Sequence, residues 1–510
     1  MAFIATALTA LSSPVAASTP WAGTGYPPCD ALITAGLGNR VVLPSHASYE
    51  PRIQSYWALN TRRHPYCLVQ PHTAQEVSTV LTTLLGPNEN GNAPNQIDGA
   101  GDWHVAIRAG GHNLGDSNNI ANGVTIDLAY LNGTSYNAGT NIASIGPGAK
   151  WEDVYASLHK YGVVATGGRD GDVGVGGFLL GGGSTYYMAK EGFGCDSIAN
   201  FEVVLANGTI VHANKNENED LWRALKGGGS NFGVVTRYDM EALPDKKLVR
   251  GQRSISAKYT GQFVDAVVDF TDKQEKFDDD ALIAILAHVE GEDILATIEV
   301  NTEGVQNSTG FDKFTKIPQI KPFEQNVGYL YEAARNSTLP GDAWALQTTL
   351  TFKNDAKMLN YAASAHREFA ADVQKAIGKE SFYSITFFQP LPSFFADISE
   401  KRGGNMFADT LKDGNAVLWT GGIFVNTNQS DFAVASARMH ELVAELEQYS
   451  QSIGADNQLR YLNYADFSQD PLGSYPEESV EHMHKVAAKY DPEGKFQARI
   501  PGGFKISRVQ

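Results

Sequence analysis

IRAGGHN, residues 107–113, ends a predicted β-strand in a turn of two glycines followed by a histidine. Because glycine has no side chain, the backbone N–H groups of such a turn can approach an anion closely. Two more glycine-rich turns follow, in GGRDGDVGVGGFLLGGG (167–183) and GGGSNFGVV (227–235). Three of these turns in one region predict an α+β unit that binds an extended phosphate-bearing ligand, such as a dinucleotide.

Two common nucleotide-binding motifs are absent from the sequence. No Gly-x-Gly-x-x-Gly opens a helix directly after the first strand with an acidic residue about 20 positions later, as the Rossmann fingerprint requires. The sequence also contains no Gly-x-x-x-x-Gly-Lys-Ser/Thr, which argues against a nucleoside triphosphatase.

Strands and helices alternate around the glycine-rich turns. YCLVQP (66–71) predicts a strand stopped by proline, and Thr73-x-x-Glu76 is typical of a capping box that starts the helix VSTVLTTLL. A helix is predicted over 151–161, and FEVVLANGTIV (201–211) predicts a hairpin with an Asn-Gly turn. The first half of the chain is therefore expected to be of mixed α+β type.

The pattern changes after residue 245, where glycine becomes rarer. Strands are predicted at LIAILAHVE (282–290), DILATIEVN (293–301) and AVLWTGGIFVN (416–426), the last interrupted by its two glycines. Helices are predicted over 358–377 and 431–450. We therefore expect 246–450 to form a second α+β domain built on an antiparallel sheet.

Composition limits the classes of function. The chain has 510 residues, with 40 Lys and Arg against 57 Asp and Glu, so binding to nucleic acid or to an anionic membrane surface is not expected. No apolar run after the N-terminus reaches the ~18 residues of a membrane span. Three cysteines are too few for a four-cysteine zinc site, and no metal site is predicted.

The N-terminus resembles a secretory signal peptide. Residues 1–18, MAFIATALTALSSPVAAS, are apolar, lack acidic side chains and end in small residues, although no Lys or Arg precedes the apolar run. We expect a secreted protein, with an ordinary hydrophobic N-terminal segment as the alternative. Secretion would permit N-glycosylation. Sequons begin at Asn132, Asn207, Asn307, Asn336 and Asn428.

Secretion would also permit a disulfide bond. Cys29 and Cys67 flank the first part of the mature chain and are expected to pair, which would close the N-terminal segment onto the first strand. The alternative is two unrelated thiols. Cys195 is expected to be a buried free thiol.

A set of motifs in fixed order resembles one family of flavoenzymes. The segments are IRAGGHN (107–113), GVTIDL (123–128), VGVGGFLLGGG (173–183), EVVLANG (202–208), DLWRALKGGGSNFGVVT (220–236), YLNYAD (461–466) and YDPEGKFQ (490–497). Together they are similar to the FAD-linked oxidases related to vanillyl-alcohol oxidase and berberine bridge enzyme, of fungal type. The resemblance covers nearly the whole mature chain.

The resemblance implies an α+β fold with a two-part FAD-binding domain of the PCMH type and a substrate domain whose antiparallel sheet is flanked by helices. The expected order is a signal peptide (1–18), an N-terminal segment (19–63), the FAD-binding domain (64–245), the substrate domain (246–450) and a berberine-bridge-like C-terminal segment that returns to the FAD-binding domain (451–510).

His112 is the residue to which the resemblance assigns the cofactor. In this family the Arg-x-Gly-Gly-His turn holds the pyrophosphate with backbone amides, and the histidine bonds to the 8α carbon of the flavin, which raises its redox potential. Without the other motifs, a histidine after two glycines would be interpreted as an exposed loop residue. The other residues implied to contact FAD are Arg108, Ala109, Gly110, Gly111, Asn113, Val173, Gly174, Gly177, Gly181, Gly182 and Asn463.

The sequence departs from the family pattern at two positions. Asp170 stands where many relatives carry a cysteine that forms a second covalent bond, so a single link is expected and an oligosaccharide oxidase is disfavoured. Phe178 stands where a histidine is common. Val173 occupies the position that controls access of dioxygen, and its small side chain favours an oxidase over a dehydrogenase; the alternative is a packed strand residue.

YLNY (461–464) carries the expected catalytic base. In an extended segment, Tyr461 and Asn463 would share one face, and Leu462 and Tyr464 the other. The resemblance places Tyr464 near the substrate as general base and leaves Tyr461 as the second candidate. A free tyrosine has a pKa of about 10, so the base needs a positive neighbour or the field of the flavin. Two core aromatic residues are the alternative.

The expected reaction is oxidation of a small organic substrate, of the secondary-metabolite kind, in which Tyr464 takes a proton, FAD takes a hydride and dioxygen becomes hydrogen peroxide. Gln389 and Trp419 are candidates to line the substrate site, although sheet residues are more often core. A carbohydrate oxidase and a flavin-binding protein without turnover are the alternatives. The sequence does not indicate an oligomeric state.

Overall fold

The computed structural model describes residues 23–86, 104–115 and 117–509. The expected signal peptide, residues 1–18, lies outside these ranges. Within them, no helix is both long and apolar enough to cross a membrane.

The strands of the described ranges are β1 (Val41–Val42), β2 (Cys67–Val69), β3 (His104–Arg108), β4 (Gly123–Asp127), β5 (Thr134–Asn137), β6 (Ile142–Ile145), β7 (Val163–Val164), β8 (Ile198–Val204), β9 (Ile210–Asn214), β10 (Val234–Glu241), β11 (Leu243–Pro244), β12 (Leu248–Ser256), β13 (Asp280–Val289), β14 (Glu292–Asn301), β15 (Glu324–Gly328), β16 (Trp344–Lys353), β17 (Phe382–Leu391), β18 (Ala416–Val425) and β19 (Asp456–Asn457).

The α-helices of the same ranges are α1 (Pro27–Leu32), α2 (Tyr49–Gln54), α3 (Ala74–Leu85), α4 (Trp151–His159), α5 (Val175–Leu180), α6 (Met188–Glu191), α7 (Glu219–Leu225), α8 (Thr260–Lys273), α9 (Asp312–Thr315), α10 (Leu330–Arg335), α11 (Ala356–Ile377), α12 (Phe394–Lys401), α13 (Gln429–Ser452), α14 (Glu477–Tyr490) and α15 (Lys495–Ala498).

The first half of the chain forms two larger sheets. The first has the order β1-β2-β4-β3, and β4 is parallel to both β2 and β3. The second is antiparallel, with the order β5-β6-β10-β8-β9. Because β3 is an edge strand that ends at Arg108, the glycine-histidine turn leaves the first sheet at its edge.

The N-terminal segment is tied to the first sheet by covalent and ionic contacts. A disulfide joins Cys29 to Cys67, at the start of β2. The hydroxyl oxygen of Thr73 accepts the N–H of Glu76 at 3.1 Å and caps α3. The carboxylate of Glu76 does not return to Thr73, but accepts two N–H groups of Arg40 in the N-terminal segment. The cap therefore also anchors the segment.

The third sheet is antiparallel and has the order β15-β12-β14-β13-β17-β18-β16-β19. Strand β18 runs through Gly421 and Gly422 in continuous register with β16 and β17, so the predicted interruption is wrong. A Cβ at Gly421 would lie 2.5 Å from the ring of Trp419, and one at Gly422 would lie 3.0 Å from the ring of Phe424. The glycines therefore make room for aromatic rings instead of breaking the strand.

Helices cover one face of the third sheet. Phe388 pairs with Trp419 across β17 and β18, and both are buried in the core formed with α8, α11 and α13. Gln389 pairs with Leu418, one position further along. Since side chains alternate along a strand, Gln389 and Leu418 point to the other face, toward the first half of the chain.

The C-terminal segment packs against the first half of the chain. The N–H of Val105 in β3 donates to the carbonyl oxygen of Arg499 at 2.8 Å. Phe496 and Ile500 are buried in the core formed by α3 and the first sheet. Helix α14 contacts α7. The third sheet is thus an insertion between two parts of the chain that pack together.

Candidate active site

The turn after β3 presents backbone donors that have no acceptor. Gly111 has φ +80°, a conformation that glycine adopts without strain. The N–H groups of residues 110–113 donate to no acceptor in the part of the chain that the structure describes. The side chain of Asn113 turns back and accepts the N–H of Gly115 at 2.9 Å. A row of free N–H groups of this kind suits an anion such as a pyrophosphate.

The side chain of Arg108 links this turn to the N-terminal segment. The guanidinium is fully buried, lies 3.6 Å from the ring centroid of Tyr56, and donates to the carbonyl oxygens of Arg52 and Ser55 at 2.8 and 3.0 Å. A Cβ at Gly111 would lie 2.8 Å from Nε of Arg108. Arg108 therefore fixes the turn to the N-terminal segment, and Gly111 allows it to pack there.

Two glycine-rich turns touch backbone to backbone. A Cβ at Gly110 would lie 2.5 Å from Cα of Gly174, and a Cβ at Gly174 would lie 2.5 Å from Cα of Gly110. A Cβ at Gly176 would lie 2.9 Å from that of Ala109. By contrast, no atom lies within 4 Å of a Cβ built on Gly177. Close approach of the two turns therefore requires glycine at Gly110, Gly174 and Gly176, whereas Gly177 faces open space.

The other two glycines predicted to bind cofactor contact the C-terminal segment and its surroundings. A Cβ at Gly181 would overlap the side-chain oxygen of Asn463. Gly182 has φ +115°, and a Cβ there would lie 2.7 Å from the ring of Phe407. The structure thus brings Gly181 and Asn463 together.

His112 is half-buried and lies against an aromatic side chain. Its ring stacks on that of Trp57 with centroids 4.6 Å apart. Burial lowers the pKa of His112 to about 4, against the smaller opposing effect of Asp172, whose carboxylate pairs with Lys150. The imidazole is therefore neutral at neutral pH, and one ring nitrogen keeps a free lone pair.

Aromatic rings continue from Trp57 onto the third sheet. Phe424 of β18 meets the edge of Trp57 at 5.9 Å and stacks on Tyr383 of β17 at 4.6 Å. These residues belong to the same sheet face as Gln389, which points to the first half of the chain. Trp419 belongs to the opposite face and packs in the helical core, so its predicted place in the substrate site is wrong.

The two positions that depart from the family pattern are occupied by packed side chains. Asp170 accepts the N–H groups of Asp172 and Leu339 at 2.9 and 3.0 Å, and burial raises the pKa of its carboxyl group. Phe178 lies edge-on to Trp151 at 5.2 Å. Asp170 therefore joins the second turn to the segment before β16.

Val173 lies in the same loop as Asp170. Its side chain is half-buried and packs against the core of the first half of the chain. Its carbonyl oxygen accepts the N–H of Trp151 at 3.1 Å, so the backbone on both sides of this residue is fixed.

The tyrosine segment is not extended. Leu462–Tyr464 forms a 3₁₀ turn, because the N–H of Tyr464 donates to the carbonyl oxygen of Tyr461 at 2.9 Å. The predicted alternation of faces is therefore wrong. Asn463 nevertheless contacts Tyr461, donating to its hydroxyl at 3.3 Å and to the carbonyl oxygen of Phe178 at 2.9 Å.

The two tyrosines lie in different environments. Tyr461 is fully buried beside Phe193 and Phe407, and burial raises its pKa, so its phenol form is favoured. The ring of Tyr464 meets that of Tyr461 edge-on at 5.2 Å and is half-buried. Nη2 of Arg169 donates to the hydroxyl oxygen of Tyr464 at 2.9 Å.

Arg169 also reaches the third sheet, where its Nη2 donates to Oε1 of Gln389 at 2.6 Å. Arg169 was not among the residues predicted from the sequence. The available signal was one basic side chain, next to Asp170, between the glycines of GGRDG, since Arg169 and Tyr464 are 295 positions apart. The contact joins the second glycine-rich turn, the C-terminal segment and the third sheet at one point.

Cys195 lies beside the second glycine-rich turn, and its N–H donates to the carbonyl oxygen of Gly182 at 2.8 Å. Cys195 is a buried free cysteine. The five sequon asparagines are exposed: Asn132, Asn207, Asn307, Asn336 and Asn428. Among the described residues, no group of three or more His, Cys, Asp or Glu side chains is arranged to hold a metal ion.

Comparisons with known proteins show the class of protein to which the chain belongs. A family described as FAD binding domain matches residues 95–214. The FAD-dependent monooxygenase drtC of Aspergillus calidoustus is 34% identical over 489 residues, covering 94% of this chain and 90% of the relative. These findings identify the chain as an FAD-dependent oxidoreductase.

Solved structures share the fold at low sequence identity. Wild-type BBE-like 1 of Physcomitrella patens superposes with a TM-score of 0.72 at 17% identity, covering 92% of this chain and 97% of the other. Glucooligosaccharide oxidase from Acremonium strictum gives a TM-score of 0.73 at 16% identity, covering 94% and 99%. The predicted α+β fold class is confirmed by this likeness.

Proposed function

Because the chain belongs to the FAD-linked oxidoreductases related to vanillyl-alcohol oxidase and berberine bridge enzyme, we propose that it is an oxidase whose FAD is bonded covalently to His112. When bound, FAD accepts a hydride from a small organic substrate and passes the electrons to dioxygen, which leaves as hydrogen peroxide. The observation that carries the proposal is the neutral imidazole of His112 beside the unbonded N–H groups of residues 110–113.

The residues present fit a bound flavin nucleotide. The glycine turn offers free donors for the pyrophosphate, while Gly110 and Gly174 let the two turns approach without side chains between them. Trp57 holds the ring of His112 by stacking. A neutral imidazole held in one orientation has the lone pair that a covalent bond to the flavin would need, so His112 is the residue that would hold the cofactor.

A single covalent link is supported by the second turn. Asp170 stands at the position where relatives have a cysteine, and a carboxylate cannot form the thioether. Both oxygens of Asp170 accept backbone N–H groups, of Asp172 and Leu339. In this chain the position therefore fixes the loop rather than the cofactor.

Tyr464 is the proposed general base. Burial disfavours the ionised form of Tyr461, whereas the hydroxyl oxygen of Tyr464 accepts a hydrogen bond from a guanidinium. As the hydride leaves the substrate carbon, Tyr464 takes the proton of the substrate hydroxyl. The half-buried Val173 is the residue proposed to control access of dioxygen, by its small side chain.

The proposed substrate is an aromatic or polyketide-like compound of secondary metabolism. The half-buried ring of Tyr383, backed by the buried Phe424, gives the sheet face that carries Gln389 an aromatic group that suits a planar apolar ring. A carbohydrate oxidase is the second candidate, because glucooligosaccharide oxidase shares the fold. Secretion, cleavage of the signal peptide after about residue 18 and glycosylation at the exposed sequons belong to the same proposal.

The test is peroxide release against a panel of phenols, benzylic alcohols and sugars. We expect reduction of the flavin without oxygen, and peroxide in equal amount to product when air is admitted, with aromatic compounds as the better substrates. Because the relative drtC is named a monooxygenase, labelled dioxygen belongs in the same experiment. Label in the product without peroxide would contradict the oxidase assignment, and turnover of sugars alone would favour the second candidate.

A further inference from the structure

Among the residues that the structure describes, Arg169 has no anionic partner. Its guanidinium is half-buried, and in the described ranges no carboxylate lies within 4.0 Å of it. Its hydrogen bonds, both from Nη2, go to the neutral oxygens of Tyr464 and Gln389 at 2.9 and 2.6 Å. A partly desolvated charge is costly unless a charge of opposite sign lies nearby.

A phenolate on Tyr464 would supply that charge. A cation that donates a hydrogen bond to a phenolic oxygen favours its ionised form, and a charge-assisted bond is stronger than a neutral one. We propose that Arg169 is a positioning residue that holds Tyr464 as a phenolate, and that Gln389 fixes the guanidinium in this orientation. The inference rests on the proposed function, because it explains how Tyr464 acts as the base.

A small cavity behind the guanidinium supports this orientation. Its volume is about 10 Å³, and Arg169, Gln389, Tyr186 and Gln274 are among the residues that line it. The hydroxyl of Tyr186 and Oε1 of Gln274 are buried without a hydrogen-bond partner in the described structure. A cavity of roughly 10–15 Å³ with two or more polar partners holds one water molecule. Such a water would bridge these atoms behind Arg169.

The other titratable groups around the pair do not replace Arg169. Tyr461 faces Tyr464 with its ring edge, and burial raises its pKa. Asp170 is adjacent in sequence, but its oxygens accept the N–H groups of Asp172 and Leu339. Tyr186 faces the guanidinium from the cavity side. Arg169 is therefore the cation that hydrogen-bonds to Tyr464, and its removal should change the ionisation of this tyrosine.

The proton inventory of the step is simple. The substrate loses a hydride from carbon and a proton from its hydroxyl group. The oxygen of Tyr464 takes that proton and becomes a phenol, still bonded to Arg169. The phenol then returns its proton to solvent before the next turnover.

The main test is the pH dependence of flavin reduction in the holoenzyme. Arg169→Met keeps an unbranched apolar stem but removes the guanidinium, with its charge and its hydrogen-bond donors. We expect the acidic limb of the pH profile of Arg169→Met to lie about one pH unit or more above that of the wild type. For each unit of this shift, the rate of flavin reduction below the limb should fall roughly tenfold. At higher pH the rate should recover. Arg169→Lys should restore part of the shift. An equal loss of rate at every pH would indicate a purely structural role and overturn the proposal.

A spectroscopic test does not depend on turnover. The ultraviolet tyrosinate absorbance of the holoenzyme is titrated against that of Tyr464→Phe, so that the difference reports Tyr464 alone. We expect this signal to titrate at higher pH in Arg169→Met and to a lesser extent in Gln389→Met. An unchanged titration in both variants would overturn the proposal. If Arg169→Met does not fold, the same titration of Tyr464 in Gln389→Met tests the proposal.

Failure of the proposed function has a different signature. If no substrate on the panel reduces the wild-type flavin, the oxidase assignment fails, whereas the titration of Tyr464 still tests the pairing with Arg169. If the wild-type flavin is reduced but the acidic limb is the same in Arg169→Met, the function stands and the pairing fails. His64→Ala, at an exposed histidine, serves as the control variant with wild-type behaviour.

Discussion

The indole of Trp57 stacks on the imidazole of His112 with ring centroids 4.6 Å apart, and the backbone N–H of Trp57 donates to the carbonyl oxygen of Gly111 at 3.3 Å. One residue of the N-terminal segment thus holds both the turn and its histidine. Arg108 binds the same segment, because its guanidinium donates to the carbonyl oxygens of Arg52 and Ser55. The N-terminal segment therefore holds the glycine-histidine turn in place, in addition to preceding the first sheet.

Replacement of His112 should release the cofactor. In His112→Ala the covalent bond cannot form, so flavin should appear in the supernatant after acid precipitation, while the wild-type precipitate stays yellow. His64→Ala removes an exposed histidine and should retain all its flavin in the precipitate. Flavin that stays with precipitated His112→Ala would assign the bond to another residue.

Digestion of the protein should give one flavopeptide. Because Asp170 cannot form a thioether, mass spectrometry should find flavin on the peptide that contains His112 and on none from residues 169–174. In Asp170→Ala the flavin that is bound should still be found on the His112 peptide alone, since Asp170 holds the loop through the N–H groups of Asp172 and Leu339 and forms no bond to the cofactor. A peptide pair joined through one flavin would show that the argument from Asp170 is wrong.

The two tyrosines should respond differently to loss of the hydroxyl. In Tyr464→Phe the rate of flavin reduction should fall by roughly 10²–10⁴-fold, the usual contribution of a general base, while reoxidation by dioxygen stays near normal. Tyr461→Phe should reduce the rate much less, because this hydroxyl is buried as a phenol. Stopped-flow measurement of both half-reactions makes the comparison. Near-normal reduction in Tyr464→Phe would exclude it as the base.

Glycine should be required at Gly110 but not at Gly261, an exposed position in α8. Alanine at Gly110 would place a Cβ 2.5 Å from the backbone of Gly174, so the two turns must separate and flavin loading should fall. Alanine at Gly261 meets no atom within 4 Å and is the matched control. Flavin absorbance per protein measures loading. Equal loading in the two variants would show that the contact between the turns does not shape the site.

Local sequence patterns predicted where helices and strands lie better than they predicted the backbone conformation at individual positions. The hairpin β13–β14 and the helix α3 lie where periodicity and capping residues placed them, because these signals depend on neighbouring residues. The interruption at Gly421 and Gly422 was wrong, because the glycines accommodate rings that lie beside them only in the folded sheet. The extended form of 461–464 was wrong, because a 3₁₀ hydrogen bond turns the backbone there.

The sequence by itself determined the glycine-histidine turn, the family and the candidate base, because each depends on short motifs with a fixed order. Only the tertiary structure decided which residues meet. It separates Gln389 from Trp419, since adjacent register positions in β17 and β18 point to opposite faces. It also brings Arg169 to Tyr464 across 295 positions of sequence. No local pattern reports such a contact, because it depends on how the third sheet and the C-terminal segment pack against the glycine turns.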